Sequence, residues 1–201
     1  GDTTGSDVRL QTPAGSIELH LPLPGRHNVM NALAACAVSQ AAGADLEAVR
    51  QGLESLSPVA GRFNVYSLPG DITVIDDTYN ANPESLQAAL DVLALAAGDT
   101  WLVLGDMGEL GAGAQALHSD AGRMARQAGV TRLYGLGELA QAAVKSFAGP
   151  GGAFSSMDEL LAALRNDLSG PLHILVKGSR RMRMEDVVAA LGVAPNTGEM
   201  H

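Results

Sequence analysis

Three short segments hold the residues best suited to chemistry: Asp76-Asp77-Thr78-Tyr79-Asn80-Ala81-Asn82-Pro83, Gly105-Asp106-Met107-Gly108-Glu109-Leu110-Gly111 and Lys177-Gly178-Ser179-Arg180. In the first, two adjacent carboxylates repel a phosphate, so Asp76 and Asp77 suit hydroxyl or cation partners better. Asn82 fits an N-cap and Pro83 the first helical position, and such a helix start favours anions. The second segment sets Asp106 and Glu109 among three glycines, an arrangement suited to an ammonium group. It is not a dinucleotide loop, because G-x-G-x-x-G is absent and its strand is not the first. The third holds Lys177, one of only two lysines, followed by Arg180, Arg181 and Arg183. A lysine at a strand end neutralises a carboxylate or phosphate. For each segment a solvated, glycine-rich turn is the other reading. Upstream, Asn28 and Asn31 lie three apart beside His27 and share a helix face. Two carboxamides there suit the edge of a planar heterocycle, unless His27 and Asn28 cap the helix. His118 and His173 read as structural, and no residue is assigned to a metal.

The elements that would position these residues follow from periodicity. Alternating runs at 8–11 and 17–21 predict a hairpin, and helices follow over 28–42 and 46–56, with Asp45 as N-cap of the second. Ser57, Pro58 and Gly61 mark a linker. Strands are expected at 63–68 and 72–76, joined by the Pro69-Gly70-Asp71 turn. Helices at 83–97, 115–128, 139–147, 158–168 and 184–191 then alternate with strands at 101–104, 132–134, near 153–154 and at 173–176. Such alternation implies parallel strands with helical crossovers. The expected fold class is therefore α/β, a doubly wound, mostly parallel sheet over residues 61–195, with the first hairpin adding one antiparallel edge. The three polar segments then fall at the carboxyl ends of strands, where open α/β sheets bind ligands. Residues 1–60 read as the tail of a preceding domain without an obvious complete core, and 196–201 as a polar tail.

Composition bounds the function. With 46% hydrophobic and 3% aromatic residues in 201, Ala, Leu and Val must fill the core. The formal charge of -9 without a long basic run argues against nucleic acid as a partner. Cys36 is the only cysteine and allows no internal disulfide; it reads as a buried, inert thiol. Residues 1–7 are no signal peptide, and the apolar run at 88–97 is too short to span a bilayer. No membrane partner is expected, and the cytoplasm is the expected compartment.

The three strings, together with Pro24-Gly25-Arg26-His27-Asn28-Val29-Met30-Asn31-Ala32-Leu33-Ala34-Ala35 and Gly61-Arg62-Phe63, resemble signatures of the Mur ligase family. They resemble most the branch that adds D-alanyl-D-alanine to UDP-N-acetylmuramoyl-tripeptide. The resemblance runs from Val8 to Ala194. The His-Asn-x-x-Asn string is shared with folate-linked relatives. The resemblance implies a Rossmann-like C-terminal ligase domain, preceded by the tail of a central ATPase domain, in an ATP- and Mg2+-dependent amide ligase of peptidoglycan synthesis. It implies that His27, Asn28 and Asn31 meet the adenine of ATP, and that Arg62 and Asp77 reach ATP from the last domain. It puts Tyr79, Asn80, Ser179 and Arg180 near the dipeptide, and Lys177, Asp106 and Glu109 at the reacting groups. The sequence departs from the full family pattern: it has no G-x-x-x-x-G-K-[ST] and no UDP-binding domain. A fragment inactive on its own is therefore expected. A folylpolyglutamate-synthase-like ligase and a non-enzymatic ligand-binding domain remain the alternatives.

Overall fold

A computed structural model describes residues 5–57 and 59–193, which fall into two compact units divided after residue 58. The expected polar tail lies outside the described residues. In the first unit, β1 (Ser6–Thr12) and β2 (Gly15–Leu21) form an antiparallel hairpin, followed by α1 (Arg26–Ala41) and α2 (Leu46–Glu54). The Asp45 carboxylate caps α2, accepting from Ala48 N at 2.7 Å. Helix α1 begins earlier than periodicity suggests, because Gly25 takes the N-cap place at φ 94°. This unit has a small core of its own: Val8, Leu10, Leu19 and Leu21 close over Ala32, Cys36, Val49 and Leu53. Alternation in the strands carried that signal, but alanine-rich α1 concealed it, since only Ala32 and Cys36 of its residues are buried. Met30 is 54% and Val38 70% exposed on the same helix.

The second unit is built on a six-stranded sheet. Its strands are β3 (Asn64–Leu68), β4 (Ile72–Asp77), β5 (Asp99–Gly105), β6 (Arg132–Leu136), β7 (Gly151–Phe154) and β8 (Leu172–Lys177). They lie in the order β3-β4-β8-β5-β6-β7. Every neighbouring pair is parallel except β3 with β4, so the antiparallel edge is where the sequence predicts it. Alternate residues of each strand face opposite sides. One side carries Ile75, Leu102, Leu104, Leu133 and Leu175 beneath α3 (Pro83–Leu93), α4 (Ala114–Gln127) and α5 (Ala140–Phe147). The other carries Val74, Val103, Ile174 and Val176 beneath α6 (Met157–Asp167) and α7 (Glu185–Ala190). Burying each such aliphatic side chain contributes about 1.5–3 kcal/mol. Helices α4 and α5 approach so closely that a Cβ on Gly122 would lie 2.0 Å from Ala143 O. Asn82 and Ser85 form the capping box that starts α3, with Pro83 at its first position. Helix α3 stops at Leu93 rather than near Ala97, where the chain turns toward Gly98 at φ 92°.

Candidate functional site

Because β8 lies between β4 and β5, the carboxyl ends of three neighbouring strands stand side by side. The loops that leave them line one cleft of about 680 Å³, formed by residues 79–82, 108–110 and 179–181. The structure thus brings together the three segments that the sequence singles out. It also shows how they are tied to one another, which spacing alone could not reveal.

The first tie joins β4 to β8. Their register sets Asp77 beside Lys177. Lys177 is 1% exposed; its Nζ pairs with the Asp77 carboxylate and donates to Asn80 O at 3.0 Å. A lysine expected to meet a ligand is therefore neutralised inside the chain. The second tie joins β8 to β5. Ser179 Oγ donates to Asp106 O at 2.6 Å and accepts from Gly108 N at 2.5 Å, while Ser179 N donates to Asp106 O at 3.1 Å. The hydroxyl expected near a substrate is thus occupied in holding two loops together. The third tie joins the same loop to α5. The Asp106 carboxylate is buried and accepts from Ala140 N at 2.8 Å, at a helix start that lacks a side-chain cap of its own. It lies against Gly137, where φ is 108° and a Cβ would come within 2.5 Å of it. The residue expected to orient an amine is therefore turned into the protein.

His118 completes the support. It is buried beneath the loop, accepts from Met107 N at Nε2 (2.9 Å) and contacts Ala114 O through Nδ1 (2.7 Å). An N–H and a C=O as partners fix the neutral tautomer with its proton on Nδ1. Beside the cleft, Asp76 is buried and accepts from Thr78 N (3.2 Å) and Thr78 Oγ1 (2.6 Å). Burial pushes its carboxyl above the ordinary carboxylate value, opposed by the Thr78 hydrogen bonds and reinforced by Asp77 and Glu185.

The remaining candidates are more open. Tyr79 is exposed, with the Arg62 guanidinium 4.2 Å above its ring centroid, a cation–π contact. Asn80 Oδ1 accepts from Ala81 N at 2.9 Å. Arg180 Nη1 reaches Glu185 Oε1 at 3.2 Å. Glu109 is exposed and held at φ 61°, the left-handed region. His27, Asn28 and Asn31 belong to the first unit. There Asn28 Nδ2 donates to Pro24 O at 2.8 Å, Gly25 rather than His27 or Asn28 takes the cap place, and His27 and Asn31 are exposed. Among the described residues, no three His, Cys, Asp or Glu side chains are grouped to hold a metal ion. No described helix is long and apolar enough to cross a membrane.

Comparison with known proteins agrees with the string resemblances. A family model described as Mur ligase, glutamate ligase domain, matches residues 61–180, and one described as Mur ligase middle domain matches residues 1–39. The UDP-N-acetylmuramoyl-tripeptide--D-alanyl-D-alanine ligase of Escherichia coli (strain K12) is 43% identical over 189 residues, covering 93% of this chain and 42% of that protein. Its counterpart in Haemophilus influenzae is 39% identical, again covering 93% and 42%. The chain therefore spans about 42% of the length of these curated relatives. A crystal structure of MurF from Acinetobacter baumannii superposes with a TM-score of 0.86 at 37% identity, covering 94% of this chain and 42% of that one. MurF from Thermotoga maritima in complex with ADP (TM-score 0.78, 23% identity, 93% and 43% covered) shares the fold. So does Mycobacterium tuberculosis folylpolyglutamate synthase (0.71, 22%, 96% and 46%).

Proposed function

The chain belongs to the Mur ligase family, and from that premise we propose that it is the C-terminal part of a MurF-type ligase, which joins D-alanyl-D-alanine to UDP-N-acetylmuramoyl-tripeptide at the expense of ATP. Residues 1–60 are then the end of the central ATP-binding domain, and residues 61–195 are the ligase domain that brings the incoming dipeptide. The exposed Met30, Leu33 and Val38 on α1 support the first assignment, since apolar side chains left open together on one helix suit a larger body that covers them. The observation that carries the functional reading is the cleft at the ends of β4, β5 and β8, lined by the Tyr79 to Asn82 stretch and its two companion loops. The same stretch, Tyr-Asn-Ala-Asn-Pro, favours this reading over a folate ligase, whose solved relative shares only the fold.

The reaction is activation and capture. The tripeptide carboxylate attacks the terminal phosphorus of ATP to give an acyl phosphate and ADP. The dipeptide amine then attacks the acyl carbon, phosphate leaves with the bonding pair, and the amine gives up a proton. Phosphoryl transfer depends on positioning and charge neutralisation, so the groups of this chain act chiefly by placement. The family resemblance assigns Arg62 and Asp77 of the second unit to ATP, and His27, Asn28 and Asn31 of the first unit to its adenine. Tyr79 and Asn80 hold the dipeptide, with Arg180 at the margin. Lys177, paired with Asp77 and Asn80 O, acts as a positioning residue for that wall. Ser179 and Asp106 do the same for the opposite loop. Glu109 is the carboxylate left free to meet the amine. Mg2+ would screen the ATP phosphates, with its ligands supplied mainly outside this chain. The enzyme works in the cytoplasm, where the nucleotide substrates are.

The test is ADP release by the intact ligase. Turnover should require both UDP-N-acetylmuramoyl-tripeptide and D-alanyl-D-alanine, and the 201-residue chain alone should give none. Turnover with a folate and glutamate instead would favour the folate-ligase alternative. Binding without turnover in the intact protein would favour a binding module.

A further inference from the structure

Most of the charged groups around the cleft are already met within the chain. Lys177 pairs with Asp77, Asp106 accepts from Ala140 N, and Arg180 reaches Glu185. Two charged side chains on the lining are not. Glu109, on the loop after β5, and Arg181, on the loop after β8, both line the cleft and are both exposed. Neither side chain has a hydrogen bond or ion pair with any described residue. They are near each other in space: Arg181 Nε lies 3.8 Å from where a Cβ on Gly108 would stand, one residue before Glu109. Glu109 sits at φ 61°, a conformation that glycine takes freely and other residues take only under constraint from their surroundings.

A free carboxylate beside a free guanidinium is complementary to a small zwitterion. An extended dipeptide separates its ammonium and carboxylate by about 7 Å, a span that two neighbouring loops can bridge. We propose that Glu109 and Arg181 form a clamp for the incoming dipeptide, Glu109 taking its ammonium group and Arg181 its terminal carboxylate. This rests on the ligase reading above and deepens it, because the clamp sets which end of the dipeptide faces the acyl carbon. A guanidinium suits the carboxylate end, since its planar fork binds a carboxylate bidentately.

The experiment compares D-alanyl-D-alanine with D-alanyl-D-alaninamide in the intact ligase. The amide keeps the amine and loses the carboxylate charge. The unsubstituted enzyme should prefer the acid by about 10- to 150-fold in kcat/KM, the worth of one hydrogen bond to a charged group. Arg181→Met should abolish that preference by losing activity on the acid alone, with KM for ATP and for the UDP-tripeptide unchanged. Arg181→Lys should restore part of it. Glu109→Gln should raise KM for acid and amide alike, because both carry the ammonium. Glu109→Gly should do the same while raising the melting temperature, because glycine relieves the left-handed backbone. Retained preference in Arg181→Met, unchanged KM values in Glu109→Gln, or a melting temperature lowered by several degrees in either variant would overturn the clamp. Failure of the unsubstituted ligase to use D-alanyl-D-alanine at all would overturn the ligase reading, and the clamp with it.

Discussion

Asp77→Ala tests the tie between β4 and β8 most directly. Lys177 is 1% exposed as a residue, and the Asp77 side chain that meets it is 17% exposed. Removing Asp77 leaves a buried ammonium with the Asn80 carbonyl as its remaining hydrogen-bond partner. Breaking one side of a buried pair costs about 3–5 kcal/mol, mostly for the charge left behind. Lys177→Met is the milder change. It strands a carboxylate that water can still reach, and it keeps the apolar stem filled, so about 1–3 kcal/mol is expected. The ordering matters more than either value: the aspartate variant must be the less stable. Trp101 is the only tryptophan and sits buried in β5, next to β8, so its fluorescence reports this unit and not the first. In urea, with slopes of about 1–3 kcal/mol per molar, the Asp77→Ala midpoint should fall by roughly 2 M, and the thermal midpoint by roughly 10–20 °C. The measurement is made without nucleotide, so a ligand role for Asp77 does not enter. A loss below about 1 kcal/mol, or a Lys177→Met variant less stable than Asp77→Ala, would refute the view that this pair fixes the cleft wall.

Two further predictions concern stability. Burial holds the Asp76 carboxyl above its ordinary value of 3.8. The folded chain therefore keeps that proton longer than the unfolded chain, and the stability this gives is full below the unfolded value and lost as pH rises through the folded one. Asp76→Asn, which retains an oxygen to accept from Thr78, should be the more stable protein at pH 7, with the advantage shrinking as melting curves are taken down toward pH 4; an advantage that grows on acidification would contradict the sign. Glycine to alanine should have opposite effects in two helices. At Gly52 of α2 nothing lies within 4 Å of the new methyl, so about 1 kcal/mol of stability is gained. At Gly122 the methyl meets Ala143 O, so about 1–3 kcal/mol is lost despite the better helix former. Equal shifts in the two denaturation midpoints would show that α4 and α5 do not approach as closely as described.

The sheet and its helices were legible because their signals are local. Pro83 after Asn82 marks the start of α3 through a mechanism confined to a few residues, and the capping box lies where that mechanism places it. The convergence of three segments was legible from the fold rule for strand ends. The partners of the charged groups were not. That Lys177 meets Asp77 depends on β8 inserting between β4 and β5, a pairing across a hundred residues that no periodicity encodes. That Asp106 turns toward Ala140 depends on Gly137, just past the end of the neighbouring β6, whose missing side chain makes room. Arg181, set beside two other arginines in a basic run, carried no signal to separate it from Arg180 or Arg183. Only the structure shows that those two have acidic partners, Glu185 and Asp186, and that Arg181 has none among the described residues.

This distribution of partners follows from how a cleft at a sheet edge must be built. Three loops leaving neighbouring strands will drift apart unless something spans them, and buried spans must satisfy every polar group they use. Residues nearest the strand ends are the most buried and the best placed for that work. Lys177, Ser179 and Asp106 all lie there, and each is consumed in a tie. Groups further along the loops, such as Glu109 and Arg181, make no tie among the described residues and remain exposed to a ligand. Polar residues at strand ends thus divide by distance from the strand into those that hold the site and those that face its occupant. A ligase that must activate one substrate and admit another gains from that division. The braced wall keeps its shape in the absence of substrate, and the exposed groups remain free to select it.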